Sequence, residues 1–596
     1  MATYTTYSKL YKWNQTDTKL TTITEMGANT EKIDNEFKGR GINPEWFGLD
    51  SDKLDNYQPV VDTINHIKNV LGGRGKIVFP AGKVFKFNQA LGSFELSNIM
   101  IDFNGSTLDF SSVPPSSSDT ALMFSGTFGS SYALTADLNE GSTVVQINST
   151  AAFKAGDMVK AIGGKVWDST RTSTRCGEIL FVKSIDSPTQ MTLTIPVNET
   201  YTVAKGYVFH KINPVENVVL MNGTFIGASG DNEMRGIRIT RGYNILIENM
   251  RTKGFDVNHF QLTDCVRFTV DKVFVQEANH AQMAYGVSVA DACQDGIIIN
   301  SHFTDVRHSF STNNNVTTSW GITRRILFAG NTVNDSSPAI GGSGGDAIDT
   351  HAGAEDIWII NNEVFSSSGI GINCEANRAV IRNNKFKCTG SVGIQWQPYA
   401  DGRLSSVNIS DNVVESVGDG VGSDYGILCT VRVSDADNII IGNNEITSQN
   451  ASIRATTSNG YRIRRGTING NNAKVLVSGY GVEIINSDSI ALNGNSVEAP
   501  NFGIGFTDSH NCTATGNTIR LTGASGSGYG LRFMNTSKRN AATGNSVKNA
   551  GTLSTSYGLH ISDSATYNML LGNVTDGFSN PVTAGVGTGN VAVNNI

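Results

Sequence analysis

The sequence predicts an all-β fold, a parallel β-helix (solenoid) with a short helical segment in front of it and a small inserted β domain. Three observations predict it. A two-strand phrase recurs from about residue 215 onward, glycine is abundant at 64 residues, and charged residues make up only 17%. High glycine with low charge suits a chain of short strands and tight turns rather than long surface helices. At 596 residues the chain also exceeds what one ordinary compact core requires, so a repeat architecture is expected.

The second strand of the phrase opens on a Gly-Asn or Asn-Asn pair followed by alternating apolar residues. It reads Gly330-Asn331-Thr332-Val333, Asn361-Asn362-Glu363-Val364, Asn383-Asn384-Lys385-Phe386 and Asn443-Asn444-Glu445-Ile446, then Gly494-Asn495, Gly516-Asn517 and Gly544-Asn545. Asn362 and Asn384 lie 22 residues apart, as do Asn495 and Asn517, whereas Asn517 and Asn545 lie 28 apart. The first strand keeps step as Tyr285-Gly286-Val287, Gly369-Ile370-Gly371-Ile372, Gly393-Ile394-Gln395-Trp396, Tyr480-Gly481-Val482 and Tyr529-Gly530-Leu531. A period near 22 holds three short strands and three turns, one coil of a solenoid, at roughly 3.3 Å per residue. Longer coils carry insertions in their turns, and such turns commonly form a working face.

The remaining elements follow in chain order. Ile23, Met26, Thr30, Ile33 and Phe37 sit at helical spacing, so residues 1–40 read as a short coiled coil or a single amphipathic helix. Residues 41–130 hold a capping helix, with Val60, Val61, Ile64, Ile67, Val70 and Leu71 on one face before Gly72-Gly73, and the first coils. A helix there would cover the open end of the solenoid, which otherwise exposes unpaired strand edges. Residues 131–213 break the repeat with strand patterns such as Thr143–Ile147 and Met191–Thr194, a small antiparallel insertion. The main solenoid then runs over 214–596.

Composition excludes several classes. A formal charge of -7 with pI near 5.8 makes nucleic acid a poor partner, though a local Arg/His cluster can still hold an anion. No run of eighteen apolar residues predicts membrane insertion, and the first residues show no secretory signal. The seven scattered cysteines, without a CxxC pair, fit buried free thiols better than disulfides or zinc.

Gly41-Ile42-Asn43-Pro44-Glu45-Trp46-Phe47-Gly48, the capping helix and Gly75-Lys76-Ile77-Val78-Phe79-Pro80-Ala81-Gly82 together resemble the opening of the pectate-lyase-like superfamily in its phage-tailspike version. Leu10-Tyr11-Lys12-Trp13, Ile23–Met26 and Glu31–Ile33 resemble the attachment segment of preneck-appendage tailspikes from phages of Gram-positive bacteria. Val306–Thr312 and Asp346–Ala352 are similar to a pair of motifs in those spikes. The resemblance implies a right-handed parallel β-helix, a homotrimer, and virion attachment to tail or collar proteins through residues 1–40. It further implies action on a bacterial surface polymer, wall teichoic acid or a capsular polysaccharide. Some relatives carry a C-terminal chaperone or tip domain, and this chain ends on a solenoid-like repeat at Val591-Ala592-Val593.

The repeat also supplies a register for candidate site residues. Aligning Asn362 with Asn384 sets Asp349 over Gly371 and His351 over Asn373, with both side chains pointing outward from one strand. Arg307 and His308 open the matching strand of the preceding coil. Glu375 and Arg378 follow the strand in the next coil, and Gln395 and Gln397 lie beyond. For a phosphodiester, Arg307 and Arg378 would neutralise oxygens while His308 and His351 exchange protons, with Asp349 or Glu375 orienting an imidazole or activating water. For a glycosidic bond, Asp349 and Glu375 would serve as acid and base. Asp346 has inward parity and either caps the Gly344-Gly345 turn or helps to bind substrate. The mixed oxygen and nitrogen donors also suit a divalent cation, though no HxH or HExxH spacing marks one.

Each residue has a bland alternative. A lone Asp or Arg on a solenoid surface is ordinarily solvated, and a histidine in a turn is often only hydrogen-bonded there. Trp396 falls on the inward parity and reads as core rather than as a sugar platform. Four functions compete: a depolymerase, a non-catalytic receptor-binding spike, a structural fibre and a cellular pectate lyase. Dense acid–base residues over 307–378 favour the first.

Overall fold

The paired residues that mark the repeat divide two tasks between them. The first of each pair adopts a left-handed conformation, as at Gly330 (φ 65), Asn361 (φ 57), Asn383 (φ 54), Asn443 (φ 54) and Gly494 (φ 60). Glycine and asparagine tolerate that region best. The second is a buried asparagine whose side chain joins successive coils. The Asn331 backbone N–H and Nδ2 both donate to Asn362 Oδ1 at 3.0 and 3.1 Å, and Asn362 repeats this toward Asn384 at 3.0 Å. Each Nδ2 also donates to a carbonyl of the preceding coil, as from Asn384 to Ile359 at 2.8 Å. The ladder continues through Asn412, Asn444, Asn471 and Asn495 to Asn595. It satisfies buried turn backbone that would otherwise lack partners.

This computed structural model describes residues 41–114, 120–228, 234–278, 283–312, 320–334, 345–365, 369–388, 390–418 and 424–596, together with the backbone of two short strands, Thr3–Tyr4 and Tyr11–Lys12. Those two strands pair antiparallel. The helix and coiled-coil readings of Ile23–Phe37 lie outside the described residues.

Coil upon coil, the strands stack in parallel register. One face is a sheet of 16 parallel strands running from Ser93–Phe94 to Asn580–Ala584. Two further parallel ladders complete each coil. Inward positions stack into one continuous core that includes Phe303, Phe328, Ile348, Ile372, Ile394 and Trp396. All seven cysteines are buried and free.

The capping helix spans Tyr57–Asn69 and packs Val60, Thr63, Ile64 and Ile67 onto the first coils. Val70, assigned to the apolar face from spacing, is 66% exposed because the helix ends before it. Among the described residues no helix is long and apolar enough to cross a membrane.

Between Thr127 and Asn213 six strands pair antiparallel around a core of their own, with Val145, Leu180, Tyr201 and Phe209 inside. A buried ionic cluster fastens this unit to the rod. Arg324, wholly buried, reaches Glu355 at 2.8 Å and Glu199 at 3.1 Å, and Arg403 contacts Glu199 at 2.6 Å and Glu355 at 3.0 Å. A second buried pair, Lys160 with Asp264 at 2.6 Å, ties it on elsewhere. Buried charges persist where each has a hydrogen-bonded counter-charge, and here they fix the insertion against the coils that carry the candidate site.

Candidate active site

Three successive strands of the 16-stranded face, His308–Thr312, Ile348–Thr350 and Ile372–Cys374, set the centre. Ile348 and Thr350 point inward, and Asp349 leaves the opposite face. The observed register pairs Asp349 with Asn373, not with Gly371. The path from Thr350 to Ile357 is two residues longer than that from Cys374 to Ala379, so partners 22 apart in the neighbouring ladder are 24 apart here. Because two is even, the parity is unchanged and the side chain keeps its face.

Asp349 is the hub. Its Oδ2 lies 2.6 Å from His351 Nε2 and 3.7 Å from His308 Nε2, and its Oδ1 accepts from Asn373 Nδ2 at 3.1 Å. The sequence reading expected an open surface strip. Instead Asp349 is 3% exposed, His308 1% and Glu375 4%, enclosed by the neighbouring side chains of the cluster, while the His351 side chain keeps 29% of its surface. The cluster is recessed, and His351 is its most accessible imidazole.

Each charge state follows from these neighbours. Burial opposes ionisation of Asp349, but the imidazoles of His351 and His308 together with Arg307 overcome it and hold the carboxyl at about 2. Burial likewise disfavours the His351 imidazolium, yet the charge and hydrogen bond of Asp349 raise its pKa above the ordinary histidine value. For His308 burial prevails and lowers the ring to about 4, despite Asp349. His308 Nδ1 donates to the Asp346 carbonyl at 2.6 Å, its ring stacks on Tyr285 at 5.3 Å, and its Nε2 has no hydrogen-bond partner. That nitrogen therefore carries a lone pair.

Asp346 is drawn into the same cluster. Its carboxylate accepts from the Ile370 N–H at 2.9 Å and from Asn373 Nδ2 at 3.4 Å, so one amide bridges Asp346 and Asp349. Burial first, and the charge of Asp349 second, push Asp346 up to about 7. One permanently ionised carboxylate thus raises the proton affinity of two neighbours, His351 and Asp346. Separated pKa values of this kind are how one site sets an acid beside a base.

Gln395 and Gln397 lie on the next coil, and both donate to Asn373 Oδ1, at 3.2 and 3.5 Å. Gln397 also reaches Glu375 Oε1 at 3.4 Å. Burial raises the pKa of Glu375, and Arg171 opposes that rise. Arg171 grips Glu375 through Nη1 and Nη2, the second at 2.9 Å, and lies 4.1 Å over the Tyr399 ring.

Sequence reasoning missed Arg171, because it comes from the insertion and lies 204 residues from Glu375. Its hairpin is held on the rod by a hydrogen bond from the Ser169 N–H to Asp401 at 2.7 Å. A lone arginine between Thr170 and Thr172 carried no signal that could have found it.

Arg378 requires the opposite correction. It opens a strand of a different ladder, Arg378–Arg382, and binds Asp356 at 2.7 Å and Glu355 at 2.8 Å within the docking cluster. It is a structural cation outside the candidate site. Trp396 is fully buried and donates to the Ala376 carbonyl at 3.0 Å.

The arrangement can move protons between a histidine and a carboxyl while two arginines, Arg307 and Arg171, supply positive charge. His308, Asp349 and His351 are also the described residues whose donor atoms, all within 4.8 Å of one another, can hold a divalent cation.

The fold is that of the right-handed parallel β-helix proteins. A family model described as a right handed beta helix region matches residues 425–575. No curated protein sequence matches the chain. Among solved structures, the tailspike gp61 of Pseudomonas phage phi297 superposes with a TM-score of 0.54 at 14% identity, covering 78% of this chain and 80% of that one. The tailspike gp49 of Pseudomonas phage LKA1 gives 0.52 at 14% identity over 90% and 83%. The gp54 tailspike of Acinetobacter baumannii bacteriophage AP22, solved with A. baumannii capsular saccharide, gives 0.51 at 12% identity over 89% and 79%. At such identities the likeness is one of fold.

Proposed function

We propose that this chain is a phage tailspike depolymerase, a virion appendage that binds and hydrolyses a polymer on the host cell surface. The observation that carries the proposal is the recessed His308, Asp346, Asp349 and His351 cluster on one face of a parallel β-helix. In this reading His351, kept protonated by Asp349, gives a proton to the leaving oxygen. Asp346, with its carboxyl near 7, takes a proton from the attacking water. Asp349 stays ionised and tunes both, and Arg307 and Arg171 face the anionic groups of the polymer.

Wall teichoic acid is the substrate we favour, since paired imidazoles beside arginines suit a glycerol-phosphate diester. A second reading is an acidic capsular polysaccharide. The carboxyl pair Asp346 and Asp349, held at about 7 and about 2, supports it, as does the capsular saccharide of the AP22 tailspike. Residues 1–40 are proposed as the attachment segment for tail or collar proteins, residues 41–130 and 214–596 as the rod, and residues 131–213 as a docked wall of the site. The assembly is proposed to be a homotrimer.

The test incubates the protein with purified wall teichoic acid and, separately, with an acidic capsular polysaccharide, then weighs released fragments by mass spectrometry. Wild type should release fragments of one polymer, while His351→Ala and Asp346→Asn release none. Equal release by all three would refute the site. Retention of polymer without release would make the chain a non-catalytic receptor-binding spike.

A further inference from the structure

The strand register carries the column that contains Asp349 far along the rod. Asp349 pairs with Asn373, then Gln395, Leu428, Arg454, Glu483, Gly505 and Arg532, each directly over the last, and the column goes on to His560. Seven steps of strand spacing, about 4.8 Å each, separate Arg532 from Asp349 by roughly 34 Å on the same outward face.

Around Arg532 lies a ladder of half-buried rings. Tyr480 stacks on Phe502 at 4.9 Å, Phe502 on Tyr529 at 6.1 Å, and Tyr529 on Tyr557 at 4.8 Å. Glycine at position 505 makes this floor flat, because a Cβ there would meet the Tyr480 ring at 2.6 Å. The Arg532 guanidinium lies 4.8, 4.6 and 4.7 Å from the ring centres of Tyr480, Phe502 and Tyr529.

Its charge is uncompensated. Arg454, Arg462, Arg464, Arg465 and Arg520, in the same half of the rod, each contact a carboxylate. No carboxylate among the described residues pairs with Arg532, whose buried Nε makes no hydrogen bond, as is also true of neighbouring His560 Nδ1. Burial alone lowers Arg532 to about 10, with no anion acting against it. A guanidinium held over aromatic rings gains from their faces without using its N–H donors, which remain able to bind carboxylate or phosphate oxygens. A neutral sugar would find the rings already covered by the cation.

We infer that Arg532 and its aromatic ladder form a second, anion-reading subsite for the same polymer that enters the Asp349 cluster. The occupant is an acidic unit several residues along the chain, recognised through its carboxylate or phosphate. The inference rests on the depolymerase reading, and it makes the spike a two-point binder that favours long, charged polymer over short fragments.

The test compares wild type, Arg532→Gln and Arg532→Lys on biosensor surfaces carrying wall teichoic acid, polygalacturonate or neutral dextran. Cleavage of fragments too short to span both points is followed in parallel. Arg532→Gln should weaken retention of one anionic polymer about tenfold, the loss of one charge-assisted contact. The polymer affected tells phosphate from carboxylate. Melting temperature and short-fragment cleavage should stay at wild-type values, and Arg532→Lys should recover part of the affinity.

Unchanged affinity in Arg532→Gln, with short-fragment cleavage intact, would overturn the second subsite and leave the depolymerase reading standing. So would a change in oligomeric mass by light scattering, which would make the ladder a contact between copies of the chain. Wild type that neither holds nor cuts either anionic polymer would overturn both.

Discussion

Replacing Asp349 by asparagine tests the electrostatic logic of the site with almost no change of shape. The buried carboxylate sits 2.6 Å from His351 and 3.7 Å from His308, and Asn373 links it to Asp346. Removing its charge removes the main support of the His351 imidazolium, so His351 loses its proton at lower pH. Asp346 loses the like charge that adds to burial in holding it near 7, so its pKa falls without returning to 3.8, because burial remains. Both changes weaken proton transfer at neutral pH. General acid–base groups contribute about 10²–10⁴-fold each, roughly 3–5 kcal/mol of barrier. Asp349→Asn should therefore lose at least about 10²-fold in fragment release at pH 7, and the acid limb of its pH profile should move below that of wild type. The assay is the initial rate of fragment release between pH 4 and 9. A variant with wild-type rate, or with its acid limb unmoved, would refute the tuning of Asp346 and His351 by Asp349.

Further predictions follow from the same contacts. Arg171→Met leaves Glu375, 4% exposed, without its counter-charge; cleavage should fall, and the melting temperature with it, because a buried carboxylate is stranded. Glu355 is wholly buried against Arg324, Arg378 and Arg403, and these cations bring it to about 2 against the resistance of burial. Its folded pKa is below its ordinary 4.5, so its stabilisation, about 3 kcal/mol, is complete above that value and is lost as pH falls toward 2. Hydrogen exchange should accordingly show the coils that carry Arg324, Glu355, Arg378 and Arg403 loosening between about pH 4 and 2, ahead of the rest of the rod. Asn444→Ala removes the partner of Asn412 Nδ2 and backbone N–H and of the Ile409 carbonyl, at about 1–3 kcal/mol for each group stranded; thermal unfolding and exchange at those coils read it out. Proton transfer as described needs no cation, so dialysis against EDTA should leave the rate unchanged. A rate abolished by EDTA and restored by one divalent ion would reassign His308, Asp349 and His351 as ligands.

What the sequence revealed, and where it stopped, has a physical cause. The solenoid was legible because each coil needs a left-handed residue followed by a ladder asparagine, as at Gly494-Asn495 or Asn443-Asn444. Those demands leave a literal repeat. Asp349 and His351 were legible as neighbours because side-chain alternation survives an even shift. The partner of Asp349 was misassigned by two residues, since a register fixed in one ladder does not pass through a turn of different length. Arg378 was misread for a related reason: it lies close to Glu375 in sequence but past a turn, on another ladder. Arg171 was invisible because a docked insertion brings it in, and the repeat assigns no register outside its own coils. Asp346 was weighed as a turn cap or a binding residue, and its raised proton affinity comes from its burial first and the charge of Asp349 second, neither of which its sequence position shows.

The central claim is that one recessed cluster handles the bond being cut. The most direct measurement is a crystal structure of His351→Ala soaked with an oligomer of the polymer that wild type degrades. The account predicts the chain lying along the Asp349 column, its scissile oxygen facing the space left by His351 and an attacking water within hydrogen-bond distance of Asp346. Oligomer bound on another face of the rod, with Asp346 and Asp349 untouched, would contradict it.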